Sequence, residues 1–470
     1  MSEKPTTGKE KKSTLQSLKG MRDISGDEYY RYQGLFEKAQ EIAVYYGFRP
    51  IETPILEKEE LFVRSVGEST DIVEKEIYTL RTKGGDKLAM RPEGTAPIMR
   101  AYIEQGMQNL PQPVMLYYSG PFFRHERPQR GRSRQFMQFG FEILGSPKSI
   151  ADAIIIRTML DVLEEVGFKD LSIDINSIGD SECRPAYIRA LTSYYKKHIE
   201  KLCVHCKKRL KDNPLRLLDC KDEGCQALKE EAPESLNHLC GGCKQHFKEV
   251  LEYLDTMGIP YSVKNSLVRG LDYYTRTVFE IIESIAPTEE PIKESTPNPE
   301  DETERDAQEK EKEVSEEPSE PGVTLLTIAA GGRYDNLAKS LGSKKPVPAV
   351  GGAIGMDRLV MRPELKSLSP RIIKKPKIYF IQLGFEAKLK SLSVIELLRK
   401  AKIPIAQSLN KDSLATQLST AERLNVPYTI IFGQKEAMEG TVIVRNMENR
   451  SQDTISIEKL PEYLKKIKGN

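Results

Sequence analysis

Apolar and polar positions change period several times along the chain, and each change predicts an element. From Asp27 to Tyr46 the apolar residues recur at helical spacing, and Gly47 ends the run as a C-cap would. Phe48 to Ile55 alternates instead, predicting an extended strand with Pro54 near its end. Two further alternating segments, Val114 to Arg124 and Arg134 to Gly145, flank the polar, basic run HERPQRGRS. They predict antiparallel strands joined by a long loop. Helical spacing returns from Ser149 to Val166, and Leu171 to Gly179 alternates again. Ser266 to Ile282 predicts another strand, Val323 to Leu341 a strand, a Gly-Gly break and a helix, and Ala349 to Met361 a small-residue approach to a helix. Beyond Pro376 strands and helices alternate. KIYFIQLG and VPYTIIFG predict strands, Phe385 to Ala401 and Lys411 to Leu424 helices, GTVIVRN and DTISI a closing hairpin, and Leu460 to Ile467 a last helix. That order predicts a small α/β domain with a largely parallel sheet.

Three segments stand outside these patterns. Residues 1 to about 18 are polar and Lys-rich, as in a disordered tail. Arg184 to Leu254 is rich in Lys, Cys and helical spacing, and predicts an inserted helical module. Ser284 to Pro321 holds 14 acidic and 4 basic residues and cannot bury a core, so a disordered loop is expected. Those residues also hide an asymmetry of charge. The chain's 71 basic and 69 acidic residues give a net +2, yet without this segment the remainder is +12, a balance that suits a polyanionic partner.

With 470 residues, 39% of them hydrophobic, the chain is long enough for several cores. Mean hydropathy is -0.48, and no apolar run approaches the ~18 to 20 residues of a membrane-spanning helix. The N-terminal MSEKPTTGKEKKSTLQ has no apolar centre, so it is not a secretory signal, and a cytoplasmic location is expected. Of five histidines, His198, His205, His238 and His246 fall in one stretch, leaving only His125 elsewhere. This scarcity makes triad hydrolases an unattractive reading.

Several short segments carry candidate chemistry. FRHERPQRGRSRQ places Arg124, Arg127, Arg130, Arg132 and Arg134 in one loop, whose guanidinium forks suit phosphate oxygens. A solvated basic loop is the plainer alternative. RPEGTAP (Arg91 to Pro97) reads as a turn before a helix. Gln138 and Glu142 share one face of their strand with Phe136 and Gly140, and the glycine leaves room for a ligand bearing an amine. In a strand, Tyr273 and Tyr274 would point to opposite sides. GGAIGMDR is neither a Walker A motif nor a dinucleotide fingerprint, although small residues before a helix would admit a phosphate. Cys203 and Cys206 form one C-x2-C and Cys240 and Cys243 another. Together they would hold a structural zinc, or remain free thiols in a helical module.

Taken in order, RPEGTAP, FRHERPQRGRSRQFMQFGFE, LVRGLDYYTRTVFE, AGGRYDNL and GMDRL resemble the histidyl-tRNA synthetases, a class II aminoacyl-tRNA synthetase family. The resemblance runs from about Leu18 onward. It implies an α+β fold: a class II antiparallel sheet with flanking helices in two parts, 19–183 and 257–366. A helical insertion module (184–256) separates them, 284–321 is an acidic insert, and a C-terminal α/β anticodon-binding domain follows at 375–470. It implies histidine, ATP, Mg²⁺ and tRNA(His) as reactants and a homodimer built around the stretch at Pro54.

Arg124, Glu126, Arg132 and Arg358 resemble the family's nucleotide contacts, and Arg269 its arginine beside the reacting carboxylate and α-phosphate. Glu93, Thr95 and Gln138 resemble the binders of the histidine amino group. Glu142, Tyr273 and Tyr274 match the imidazole pocket. Arg127 and Gln129 are candidates for the tRNA acceptor end. The acidic insert departs from the family's pattern, as does Gly352, where an apolar residue is common. The rival reading is a non-catalytic, synthetase-like regulatory protein that binds histidine or tRNA. Such relatives of the phosphoribosyltransferase-regulator type lack the C-terminal domain, the module and the full arginine set, all present here.

Overall fold

The N-terminal helical run forms Gly26–Tyr45 and buries Tyr32, Leu35, Ala39 and Ala43, one helical face, against the largest core. The computed structural model describes residues 15–68, 70–128, 132–285, 324–362, 365–366, 368–371, 376–409 and 413–468. The expected N-terminal tail up to residue 14 and residues 286–321 of the acidic insert lie outside them, while its first two residues, Ser284 and Ile285, end the strand Thr275–Ile285 rather than begin a loop. The chain divides into two units, Met1–Leu368 and Ser369–Asn470.

An eight-stranded sheet frames the first unit. From edge to edge its strands are Arg49–Pro50, Val114–Phe123, Gln135–Leu144, Ala349–Gly355, Thr324–Arg333, Thr275–Ile285, Leu171–Ser177 and Tyr261–Val263. All central neighbours pair antiparallel, and only the short edge strands pair parallel. The two foreseen strands around the arginine loop pair from Val114↔Leu144 to Phe123↔Gln135. On one face Phe139, Phe141 and Ile143 pack with the helix Ile150–Glu165. The opposite face carries Gln138, Gly140 and Glu142.

Three sequence expectations need correction. Phe48 to Ile55 is not one strand: only Arg49–Pro50 pairs, and Leu56–Lys58 joins a separate three-stranded sheet. Pro50 and Pro54 lack the N–H that a longer ladder needs. Gly331-Gly332 does not break the strand Thr324–Arg333 but sits inside it. A Cβ at Gly332 would lie 2.6 Å from the Thr277 carbonyl oxygen and 2.9 Å from the Tyr274 ring, so the glycine permits close approach. GGAIG is likewise sheet, Ala349–Gly355, rather than a loop leading phosphate to a helix, and the helix after it is the short Met356–Val360. At Gly352, Met159 Sδ stands 2.6 Å from where a Cβ would be, so this methionine fills the space that a side chain would take.

Arg333, fully buried, closes the end of its strand. It pairs with Asp152 and donates to the carbonyls of Ser146 and Lys148 at 2.9 and 3.0 Å. Burial alone would raise the Asp152 pKa, but the Arg333 charge prevails and holds it down at about 2. The next residue, Tyr334, is thereby fixed.

The module between strands Leu171–Ser177 and Tyr261–Val263 contains the helices Arg184–Lys197, Val204–Asp212, Glu223–Lys229 and Gly241–Thr256. In the second unit a five-stranded sheet runs Ala406–Gln407, Ile378–Gln382, Tyr428–Phe432, Thr441–Asn446 and Gln452–Ser456. Its first two pairings are parallel and its last two antiparallel, so the sheet is mixed rather than largely parallel as expected, because the foreseen hairpin supplies two of its five strands. A short helix, Gln434–Glu439, was not foreseen; Glu436 accepts from the Gly433 N–H at 3.0 Å and starts it.

Candidate active site

Glu142 lies on the face of the large sheet opposite Phe139 and Phe141 and has no solvent exposure. Its neighbour across the ladder is Gly351, where any Cβ would overlap the Glu142 carboxylate. The Thr95 hydroxyl donates to Glu142 Oε1 at 2.7 Å and the Tyr334 hydroxyl donates to Oε2. Burial lifts the carboxyl to about 8, against the pull of those two donors and helped by the nearby Glu93 charge. The Gly140 gap is filled from within, by the ring of Tyr118, its partner across the ladder.

Glu93 stands at the start of the helix Thr95–Glu104, as the turn-and-helix reading of RPEGTAP foresees. It accepts from the backbone N–H groups of Thr95 at 2.7 Å and Ala96 at 3.0 Å, and from the Tyr273 hydroxyl at 3.2 Å. Burial pushes its pKa up despite these donors. A carboxylate has about four lone-pair positions, so Glu93 and Glu142 both keep acceptor capacity. Arg91 braces the segment, donating to Pro121 and Thr53 carbonyls at 2.9 and 2.8 Å.

LVRGLDYY is a loop, not the first half of a strand, since the strand begins at Thr275. Tyr273 and Tyr274 therefore escape strand alternation: both are buried, with ring centroids 4.7 Å apart. Tyr334 packs on Tyr273 at 5.7 Å. Tyr118, Tyr273, Tyr274 and Tyr334 thus surround the two buried carboxyls, and this cluster is the candidate pocket. Gln138 is half-buried on the same strand as Glu142.

The arginines gather at the rim. Arg124 donates to the Pro92 carbonyl at 2.9 Å, stacks over Phe136 at 5.3 Å and approaches Glu126 at 3.7 Å. Arg269 pairs with Glu280, whose other oxygen accepts from the Thr327 hydroxyl at 2.9 Å. Arg358 donates to the Thr327 carbonyl at 2.8 Å. Thr327 thus ties together two arginines far apart in sequence. Arg127 and Arg132 are exposed, while Gln129 and Arg130 lie outside the described residues.

Sequence reasoning passed over Tyr118, Tyr334, Glu280 and Thr327. The first shares its sheet face with Glu142 through the ladder, and the second lies inside AGGRYDNL; strand parity and motif membership were the available signals. The four cysteines proposed as one metal set do not come together. Cys203 and Cys206 join Cys220 and Cys225, while Cys240 and Cys243 join Cys183 and Asp180. Helix Val204–Asp212 and helix Gly241–Thr256 carry the two pairs to different parts of the module.

An antiparallel sheet bearing buried acids, a rim of arginines and a separate α/β unit defines a class II aminoacyl-tRNA synthetase. Residues 20–289 match the family model "Histidyl-tRNA synthetase", and residues 377–467 match "Anticodon binding domain". The histidine–tRNA ligase of Dehalococcoides mccartyi strain 195 is 41% identical over 96% of this chain and 99% of its own length. That of Thermodesulfovibrio yellowstonii is 39% identical over 96% and 98%. The apo histidyl-tRNA synthetase of S. aureus superposes with a TM-score of 0.72 at 29% identity, covering 96% of this chain and 99% of that one. The chain belongs to the histidyl-tRNA synthetase family.

Proposed function

We propose that the pocket binds L-histidine, condenses it with ATP to histidyl-adenylate and diphosphate, and passes the histidyl group to the 3′ end of tRNA(His). The observation that carries the choice of amino acid is the pair of buried carboxyls, Glu93 and Glu142, among phenols. A site with two embedded acids suits a ligand with two basic nitrogen centres. Glu93, Thr95 and Gln138 take the α-ammonium. Glu142 and the Tyr274 hydroxyl take the two imidazole nitrogens, and Tyr273 lines the same space. Because these groups are buried, an analogue lacking either nitrogen leaves a polar atom unpaired, which discriminates strongly without editing.

Bound histidine presents its carboxylate to the α-phosphorus of ATP for in-line attack. Negative charge then builds on the phosphoryl oxygens, where Arg124 and Arg269 act as fixed cations. Each is already oriented, Arg124 by the Pro92 carbonyl and Arg269 by Glu280, so little reorganisation remains at the moment of reaction. Arg269 Nε, buried and without a partner among the described residues, remains as a donor. Arg358 meets the γ-phosphate, and Glu126 and Arg132 the rest of the nucleotide.

Mg²⁺ prefers oxygen ligands, commonly one or two carboxylates with substrate phosphates. Glu126 beside Arg124 and Glu280 beside Arg269 are the carboxylates that would supply such ligands, and the bound ion would neutralise charge on the departing diphosphate. In this reading Arg127 and Gln129 serve the tRNA acceptor end, and the C-terminal unit holds the anticodon. Ile55, Leu56 and Leu80, apolar yet over 40% exposed, support a homodimer interface beside Pro54. Among the described residues no helix is long and apolar enough to cross a membrane, which fits work in the cytoplasm.

ATP–diphosphate exchange, measured with each standard amino acid and without tRNA, tests the reading. Exchange with histidine alone is expected. A folded protein that binds histidine or tRNA but exchanges with nothing would favour the regulatory alternative.

A further inference from the structure

All seven cysteines of the chain lie in or at the edge of the inserted module, and the fold sorts them into two clusters. Cys203, Cys206, Cys220 and Cys225 form the first; Cys183, Cys240 and Cys243 form the second, with Asp180 beside them. In each cluster the four ligand atoms lie within 4.8 Å of one another. We propose that each cluster binds one Zn²⁺, so that the module carries two: an inner site of four thiolates and an outer site of three thiolates and the Asp180 carboxylate.

The spacing argues for a metal. Sulfurs around a tetrahedral zinc, with Zn–S near 2.3 Å, stand about 3.8 Å apart. Cys203 Sγ and Cys220 Sγ are 3.9 Å apart, and Cys183 Sγ and Cys243 Sγ 3.8 Å. A disulfide would need about 2.05 Å, and all seven thiols are free. Such a spacing is too wide for a bond yet repeated in both clusters. Thiols are weak hydrogen-bond partners, so burying four together has little to hold it without an ion.

The surroundings match what thiolates need. The Cys206 N–H donates to Cys203 Sγ at 3.4 Å, and the Cys203 N–H to Cys225 Sγ at 3.3 Å. Such donors orient a metal's ligands. Each C-x2-C opens a helix, Cys203 as the N-cap of Val204–Asp212 and Cys240 of Gly241–Thr256, and in the second cluster it is the Asp180 N–H that donates to a sulfur, Cys183 Sγ, at 3.4 Å. Asp180 is oriented for the role. Its Oδ2 accepts from Arg276 at 3.1 Å, while Oδ1 faces Cys183 Sγ at 3.6 Å. Arg276 offsets part of the negative charge that three thiolates and a carboxylate place on the ion.

Position gives the two sites different work. Asp180 and Cys183 lie where the chain leaves strand Leu171–Ser177 for the module, and Cys240 and Cys243 where it enters the module's last helix. The outer ion therefore fastens the two ends of the insertion together. It does so beside the histidine pocket, since the Arg276 N–H donates to the Gly179 carbonyl at 2.8 Å and Arg184 donates to the Tyr274 carbonyl at 2.6 Å. The inner ion ties together the short helices Val204–Asp212 and Glu223–Lys229.

The test is metal content of the purified full-length enzyme by inductively coupled plasma mass spectrometry. Two zinc per chain are expected. Cys220→Ser should retain one, Cys183→Ser should retain the other, and the double variant none. Should a variant fail to fold, the wild-type protein answers instead. Stepwise mercurial titration of its thiols should release zinc in two equal phases, and Co²⁺ exchange should give thiolate charge-transfer and tetrahedral d–d bands for two ions. One zinc per chain, lost in Cys220→Ser and kept in Cys183→Ser, overturns the outer site. A metal-free wild type that takes up no Co²⁺ and whose seven thiols react freely with Ellman's reagent overturns both.

Discussion

The pocket and the inserted module each bury chemically demanding groups, and they hold them in different ways. In the pocket, Glu93 and Glu142 are held by donors from the protein itself: backbone N–H groups, Thr95, Tyr273 and Tyr334. Those donors sit on the helix Thr95–Glu104, on the loop before strand Thr275–Ile285 and just past the end of strand Thr324–Arg333. In the module, seven thiols lie on helices and the turns between them, with few partners stronger than another thiol. The pocket's acids are therefore positioned by the protein's own donors, whereas the two-zinc proposal assigns the holding of the module's thiols to ions. A site that stabilises a transition state needs the first kind of construction, since its dipoles must not reorganise during reaction.

The largest effect that tests this preorganisation is expected from Arg269→Ala. ATP–diphosphate exchange should fall about 10² to 10³-fold in kcat, the loss typical of one fixed donor at a developing charge. The change also strips Glu280 of its partner, so stability falls too. The double variant Arg269→Ala with Glu280→Gln separates the effects: urea unfolding should return toward wild type while the rate stays low. Recovery of the rate in the double variant would sink the catalytic role.

A smaller and more selective loss is expected from Glu142→Gln. A hydrogen bond to a charged group contributes about 1.5–3 kcal/mol, so the KM for histidine should rise roughly 10- to 100-fold. The KM for ATP should stay within about two-fold. A variant that weakens both substrates equally would mean that Glu142 supports the sheet rather than the imidazole. Tyr334→Phe should act in the same direction by roughly ten-fold, because it removes one of two side-chain donors on that carboxyl. Steady-state exchange against histidine concentration checks both.

Much of the frame was legible in the sequence because period and burial agree there. Phe139 and Phe141 alternate with Gly140 and Glu142, and the ladder places them on opposite faces as alternation requires. The pocket's loops were less legible. LVRGLDYY alternates like a strand, yet both rings turn inward, Tyr273 to reach Glu93 and Tyr274 to pack on Tyr273, and side-chain packing overrides local pattern. Gly331-Gly332 reads as a break for the same reason: composition shows that a Cβ is missing but not that a neighbouring strand and ring occupy its place. The cysteines show the limit most plainly. Two C-x2-C motifs invite one site, while Cys183, Cys220 and Cys225 have no such spacing. Only the fold shows that each pair has separate partners.

The smallest expected effect concerns acidity, and it sharpens the comparison because it requires no ligand. Glu142 has a folded pKa of about 8 against an ordinary 4.5, so the native state holds its proton more tightly than the unfolded chain does. Its contribution to stability is fully present below about 4.5 and is lost as pH rises through about 8. Glu93, raised by the same burial, acts with the same sign. Asp152, held near 2 against an ordinary 3.8, has the opposite sign and a separate window: its contribution is present above 3.8 and lost as pH falls through 2. Urea unfolding of the ligand-free enzyme between pH 4.5 and 8 should therefore lose stability with rising pH, and Glu142→Gln should flatten that slope. Identical slopes in the two proteins would mean that the carboxyl is ionised throughout. The pocket would then hold a full negative charge before histidine arrives, and recognition of the imidazole would rest on that charge rather than on a shared proton.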